Sequence, residues 1–436
     1  MQYWLPSSYD ACNSLPMADW RLLPESKAFV SLLVWKSALH EVDRDGYARL
    51  HSHWLRRLLG HDFARVASAL MESRVAERTN YSSGLKSYGY RLASRFQSDH
   101  VVREPIEDRR IIRRLKRCQE DGDRDQKRRW NQIHHELDRR HRLIAIDRAT
   151  ALTELEQYPD CRLQQSVLVE AIAAVGHRLT VGRASERVTT TCGLLKCCVR
   201  KSSLSSCGER LVEADLKASQ PTLLAMLLVA DRRQPIVQEL LRGIDLPYFD
   251  WRSSDVEHFK NTLTEGTVYE KVAHILRREG ATALPSPLAH HSARTELCSA
   301  GEEKTPGRAR ALSRQQIKKH LMRDVLAKRG TYPSDVEGAF KELWPTVYEY
   351  VRLVNRQDYK RMLLILQRIE ARLVSGKVCG LLVDRLPQDV GLFSIHDCVC
   401  APVTYQSAVL EAFDDVAREL GFPLNVEIKN PIETQR

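Results

Sequence analysis

What this sequence lacks narrows its class before any motif is read. No run approaches the about 18 consecutive apolar residues that a membrane-crossing helix needs, so no membrane partner is expected. Residues 1–20 lack the basic-then-apolar layout of a secretory leader. Eleven cysteines in 436 residues are too few for a disulfide scaffold, and odd in number, so a reducing cytoplasm is the expected compartment. Cys192, Cys197, Cys198 and Cys207 crowd together, but no C-x2-C pair occurs. They read as buried thiols rather than a zinc knuckle. His134-His135 and His290-His291 lie in polar stretches and read as surface residues. No internal repeat is visible.

What is present points to an anionic partner. The chain is too long for one ordinary core, so two or three domains are expected. Its net charge of +11 makes nucleic acid the first candidate. Residues 103–145 concentrate arginine, in Arg109-Arg110, Arg113-Arg114, Lys127-Arg128-Arg129 and Arg139-Arg140, with acids interleaved. Two readings stand: a salt-bridged helix pair broken near Gly122, or an arm that tracks phosphates.

Residues 1–24 read as an irregular lead-in. Phe29, Leu32, Leu33, Trp35, Ala38 and Leu39 then share one helix face. Ser52 caps a short helix that Gly60 ends, and Asp62 starts a third through Phe63, Val66, Ala67, Leu70 and Met71. Strand-like runs over 74–81 and 88–92 flank turn chemistry, Ser82-Ser83-Gly84-Leu85-Lys86-Ser87. This order resembles the winged-helix family over residues 25–95. The resemblance implies that the third helix and the wing, with Lys86, Tyr88, Tyr90 and Arg91, face a duplex; the family's other common use is a protein contact.

The remainder is organised around two acids. Helical pattern over 150–175 gives way to short strands over 179–183 and 187–192. A Ser-rich turn over 201–208 precedes a strand, Leu211-Val212-Glu213-Ala214, that runs into Asp215. Pro221 opens an apolar helix over 222–230. A helix over 266–278 follows, and then 279–313, where Pro and Gly accumulate and periodicity fades, reads as a mobile or disordered insert. The next helix carries Arg314 and Lys318, four apart and so on one face. Helices over 335–355 and 359–374 lead to Ser394-Ile395-His396-Asp397-Cys398-Val399-Cys400, a tight hairpin pattern with Asp397 at its tip. A last helix over 406–421 precedes a strand over 424–428. Two carboxylates on adjacent strands can hold two divalent ions about 3.5–4 Å apart, which suits in-line phosphoryl transfer. An Arg/Lys helix face can clamp a triphosphate.

The order Asp215, then Arg314-x3-Lys318, then His396-Asp397 resembles the A, B and C motifs of family A DNA polymerases and the related single-subunit, phage-type RNA polymerases. Gly182-Arg183, the Asp215-x3-Ser219 spacing, Lys318-Lys319-His320-Leu321-Met322 and the LQRIEARL stretch over 366–373 agree with it across residues 175–430. The resemblance implies an α+β fold, with a right-hand palm and fingers on a small antiparallel sheet with many helices over 175–436. A winged-helix-like domain over 1–100 and a charged helical connector, thumb-like or an arm, over 101–174 would precede it. It further implies that Asp215 and Asp397 bind Mg2+ (or Mn2+), and that Arg314 and Lys318 hold the incoming triphosphate, with Lys318 a proton donor to pyrophosphate. Ser219 and Gln220 would border the nucleotide pocket. Gln367, His396 and Arg183 would touch nucleic acid.

Three positions depart from the family pattern. Leu326 stands where a Tyr is usual, and Thr222 and Cys398 stand where DNA polymerases carry Glu. Ribonucleotide use is therefore open. Residues 1–150 show no acidic D-x-E constellation of a proofreading exonuclease, and the promoter-reading domain of the large RNA polymerases is absent. The expectation is a compact template-directed nucleotidyltransferase, a DNA polymerase or primase-polymerase, that replicates a mobile element such as a plasmid or phage. Its partners would be a single-stranded or primed DNA template, nucleoside triphosphates and an accessory replication protein. The rival is a non-catalytic DNA-binding replication or repression factor with a degenerate polymerase fold.

Overall fold

The computed structural model describes residues 1–13, 15, 17–43, 45–80, 87–247, 249, 252–278 and 312–429. The insert expected at 279–313 lies, but for Leu312 and Ser313, outside the described residues, as do Lys86 and His290-His291.

The strand Glu209–Leu216 is where two apolar cores meet. One face carries Val212, Ala214 and Leu216; the other carries Leu211, the buried Glu213, which accepts from Arg200 at 2.7 Å, and Asp215. Ala214 and Leu216 point into a core shared with the helices of the C-terminal half, together with Val399 and Ala401. Leu211 points the other way, into a core shared with the N-terminal half, together with Phe393, Cys398 and Cys400. All pairings are antiparallel. Phe393–Ile395 pairs with Cys398–Pro402, which pairs with the central strand. The other edge of the central strand takes Val426–Lys429 at the Asp215 end, and Leu204–Ser206 followed by Ala145–Ile146 at the far end. The fold is α+β, as expected.

Helix Ser219–Val229 is apolar all round and is buried accordingly. Two helices contain wider turns. Arg314–His320 continues through a π-helical stretch, Leu321–Leu326. Arg361–Glu370 continues through Ala371–Val378 into Cys379–Arg385, well past the end expected at 374. The helix expected over 335–355 is two, Asp335–Leu343 and Pro345–Val354. The buried Trp344 and the Pro345 ring mark the break.

In the N-terminal half, helices Leu23–Ala38, Ser52–Leu59 and Phe63–Glu72 pack on a sheet ordered Ala48–Leu50, Tyr88–Leu92, Ala76–Arg78. Its first strand was not legible, being three residues long. The lead-in is not irregular: Gln2–Pro6 pairs with Val101–Pro105 and buries Tyr3, Trp4 and Leu5. That partner lies a hundred residues away, which no local pattern announces. The same core takes Val167, Leu168 and Val169 from helix Arg162–Ala174, so no core boundary falls at residue 100.

Helix Arg109–Lys127 runs unbroken through Gly122, and the break comes before Asn131, which caps Gln132–His141. A glycine on a solvated helix costs only about 1 kcal/mol, less than the expected break assumed. The arginines of this region largely pair with local acids: Arg129 with Asp125, Arg139 with Glu136, Arg142 with Asp138. Arg140 is fully buried and donates to the carbonyls of Val383, Leu386, Pro387 and Val390. The expected Ser-rich turn is mostly regular, with helix Cys197–Ser203 and strand Leu204–Ser206. The turn itself falls on Cys207 and Gly208, both at positive φ. The ten described cysteines are free; Cys192 is buried, but Cys197 and Cys207 are exposed, against expectation. Among the described residues no helix is long and apolar enough to cross a membrane.

Candidate active site

The side chains in question come from elements far apart in the chain. The central strand carries Asp215, and its register sets Asp215 opposite Cys398. The hairpin turns in two residues, His396 and Asp397, between the paired Ile395 and Cys398. His396 takes a left-handed φ of 55°, which so tight a turn requires and a non-glycine residue adopts at some cost. The Leu216 amide donates to the Asp397 carbonyl at 3.0 Å, so both acids leave adjacent strand ends. From behind, Ser375 Oγ holds Ser394 Oγ at 2.8 Å.

The charge of Asp397 acts on Asp215. Asp215 keeps its proton to a higher pH than an ordinary aspartate. Burial is the main cause; the Lys429 hydrogen bond opposes it, the Asp397 charge adds to it, and Lys318 opposes it from farther off. Lys429, on the terminal strand, places Nζ 2.5 Å from Asp215 Oδ2. A half-buried carboxylate beside a second acid is a site that favours a cation, and Lys429 is the cation the chain itself supplies. Asp215 and Asp397 thus fit a metal pair by charge and by placement on neighbouring strands.

The Arg/Lys helix stands beside this pair. Lys318 is exposed and within electrostatic reach of Asp215. Arg314 is exposed, donates to Glu270 at 3.1 Å and lies 4.8 Å over the ring of Tyr269. The buried Tyr269 hydroxyl is pushed up to about 12, chiefly by burial, with Arg314 opposing and Asp397 adding to it. The fields of Arg314 and Asp397 therefore overlap at Tyr269.

Beneath the hairpin lies a residue that sequence reading missed. Glu370 is fully buried on helix Arg361–Glu370. It faces Arg187 Nη2 at 2.6 Å and accepts from Ser219 Oγ at 3.1 Å and from Gln220 Nε2. Burial raises its pKa, the Arg187 charge opposes, and Asp397 adds to the rise. Nothing in the sequence marked Glu370 except its place three residues after Gln367. Arg187, Tyr269 and Lys429 carried no signal of their own.

Several expected contacts are placed differently. Ser219 and Gln220 are buried and turned to Glu370. Thr222, Leu326 and Cys398, the three departures from the family pattern, are all buried, and Thr222 donates to the Lys217 carbonyl at 3.1 Å. Gln367 is half-buried and His396 is exposed. Arg183 is exposed at the tip of the hairpin formed by Leu179–Val181 and Val188–Thr190, with Asp125 3.3 Å away.

One of the expected wing contacts is corrected. Tyr90 is buried edge-on against Phe29, because its strand turns that face onto helix Leu23–Ala38, so it is a core residue and not a duplex contact. Arg91 forks onto the Glu77 carboxylate at 2.9 and 2.6 Å and also donates to the Asp45 carbonyl.

Comparison with known proteins adds little to this geometry. No protein-family model matches the chain, and no curated protein matches it. Among solved structures, it is similar to the POL domain of Pol1 from M. smegmatis, determined in complex with DNA primer-template and dNTP. The TM-score is 0.28 and the identity 13%; the match covers 65% of this chain and 55% of that one. A likeness of that size leaves the site's own geometry to carry the functional case.

Proposed function

We propose that this chain is a compact template-directed nucleotidyltransferase. The observation that carries the reading is the pair Asp215 and Asp397 on adjacent strand ends, with Lys318 within reach of it and Arg314 on the same helix. Asp215 and Asp397 are the residues that would hold Mg2+ or Mn2+. Such ions, when bound, activate the attacking hydroxyl and offset charge on the leaving pyrophosphate. Arg314 and Lys318 hold the triphosphate, and Lys318 gives a proton to the departing pyrophosphate. Glu370 and Arg187 fix the floor under Asp397 and act as positioning residues. His396, Gln367 and Arg183 line the path of the nucleic acid.

The N-terminal helices and sheet are read as a winged helix that holds the template or a partner. Sheet order and element order support this, with the strand Ala48–Leu50 on the outside and the last strand in the middle. Thr222, at the position where DNA polymerases carry the Glu that excludes ribose, is buried and turned to the Lys217 carbonyl, which supports use of ribonucleotides as well. Replication of a mobile element is the setting proposed for this activity, with the N-terminal module as its template-holding part.

One observation favours the rival reading, a non-catalytic nucleic-acid-binding factor: Lys429 already neutralises Asp215. The test is incorporation of labelled nucleotides with Mg2+ on primed and unprimed single-stranded DNA and RNA. Wild type is expected to incorporate, and Asp397→Ala is not. Equally low incorporation by both, with template binding retained, would favour the rival.

A further inference from the structure

Away from the acid pair, three side chains from separate segments converge in the interior. They are His141 at the end of helix Gln132–His141, His177 just before strand Leu179–Val181, and Cys192 in the short helix Thr191–Leu194. One ligand atom from each lies within 4.8 Å of the other two. His141 and Cys192 are fully buried, and His177 is half-buried. We propose that this trio is a transition-metal site, with zinc as its resident ion.

Three features support the assignment. First, neither ring nitrogen of His141 has a hydrogen-bond partner. A buried imidazole without any partner is costly, and a metal ion would satisfy one of its two nitrogens. Second, His177 Nε2 lies 2.6 Å from the Ile144 carbonyl. An N–H there leaves Nδ1 as the free lone pair, which is how metal-bound histidines are usually oriented. Third, His177 Nδ1 and Cys192 Sγ are 3.5 Å apart. Tetrahedral zinc with Zn–N of about 2.0 Å and Zn–S of about 2.3 Å sets that pair about 3.5 Å apart.

Two nitrogens and a thiolate are a donor set that zinc and copper take and magnesium does not. The fourth position is left to water. Binding displaces the Cys192 thiol proton to solvent. The site would pin the hairpin of the candidate active centre from below. His141 lies 5.6 Å from the Phe393 ring, and a Cβ on Gly193, next to Cys192, would meet Ile395 at 3.4 Å. No paired C-x2-C spacing announces the site, because its ligands are 36 and 15 residues apart in sequence.

The experiment uses the full chain purified from zinc-supplemented medium and passed over a desalting column with mild chelator. Elemental analysis is expected to find about one zinc per chain. Cobalt exchange should give a thiolate-to-cobalt charge-transfer band and strong tetrahedral ligand-field bands. Cys192→Ser and His177→Gln should lose the metal, whereas Asp397→Asn should keep it, which separates this site from the acid pair. Wild-type protein that carries no zinc and shows no thiolate–cobalt band overturns the proposal, without recourse to any variant. So does retention of the same zinc by Cys192→Ser.

Discussion

Two aspartates of this chain show opposite treatment. Asp324 is fully buried, in the π-helical continuation of the helix that carries Arg314 and Lys318. It accepts from His320 at 3.1 Å, Arg323 at 2.6 and 2.9 Å, Tyr332 at 2.6 Å and Ser334 at 2.8 Å. Burial is the largest influence on it and pushes its pKa up, yet these donors together hold it far below the carboxylate range. Asp215 is less buried, has Lys429 as its donor and sits beside a second acid, and its pKa is raised. A fully satisfied acid holds a fold together. An acid left short of donors beside another acid is where a cation or a substrate has work to do.

The signs of their linkage to stability are also opposite. Asp324, with a lowered pKa, contributes stability that is present above the ordinary aspartate pKa and is lost as pH falls. Asp215, with a raised pKa, contributes stability that is present at low pH and is lost as pH rises through its folded value.

The sharpest way to break this contrast is substitution at each acid. Asp397→Asn and Asp215→Asn are expected to lower incorporation by on the order of 10³-fold, with template binding and thermal stability retained. Equal loss of binding and synthesis at Asp215 would make it a structural acid like Asp324. Asp324→Asn is expected to do the reverse. It should cost about 2–3 kcal/mol in chemical denaturation, since buried donors lose a charged partner, and leave incorporation per folded molecule nearly unchanged.

Smaller effects refine the comparison. Arg314→Ala should raise the nucleotide concentration needed for half-maximal synthesis by about tenfold, from the loss of a charge-assisted phosphate contact. Lys429→Ala removes the donor that opposes the rise at Asp215. The acid limb of the incorporation pH profile should then move to higher pH, and Lys429→Arg should restore it; an unmoved limb would detach Lys429 from the site. Lys86→Ala, in the wing expected from sequence, should lower the salt slope of template binding by about one, with little effect on synthesis from a pre-bound template.

The stretches that read well from sequence are those whose signal is local. The hairpin with Asp397 at its tip alternates over a few residues, and Asp215 lies near the end of a strand whose Leu211, Val212, Ala214 and Leu216 are apolar. Helix Gln406–Leu420 stops where Gly421 takes the left-handed conformation, at φ 59°. The stretches that misread depend on distant partners. Strand Gln2–Pro6 exists because Val101–Pro105 completes it. Tyr90 alternates like a surface wing residue, yet helix Leu23–Ala38 covers it.

The two acids, the Arg314/Lys318 face and the order in which they occur are legible along the chain, because each is a short local pattern. Tertiary structure alone decided that Asp215 and Asp397 leave adjacent strands. It also decided that Glu370 lies beneath them, that Lys429 caps one of them, and that His141, His177 and Cys192 meet. Those are contacts between segments tens to hundreds of residues apart. Chain periodicity carries no information about them, and burial in a common core brings them together.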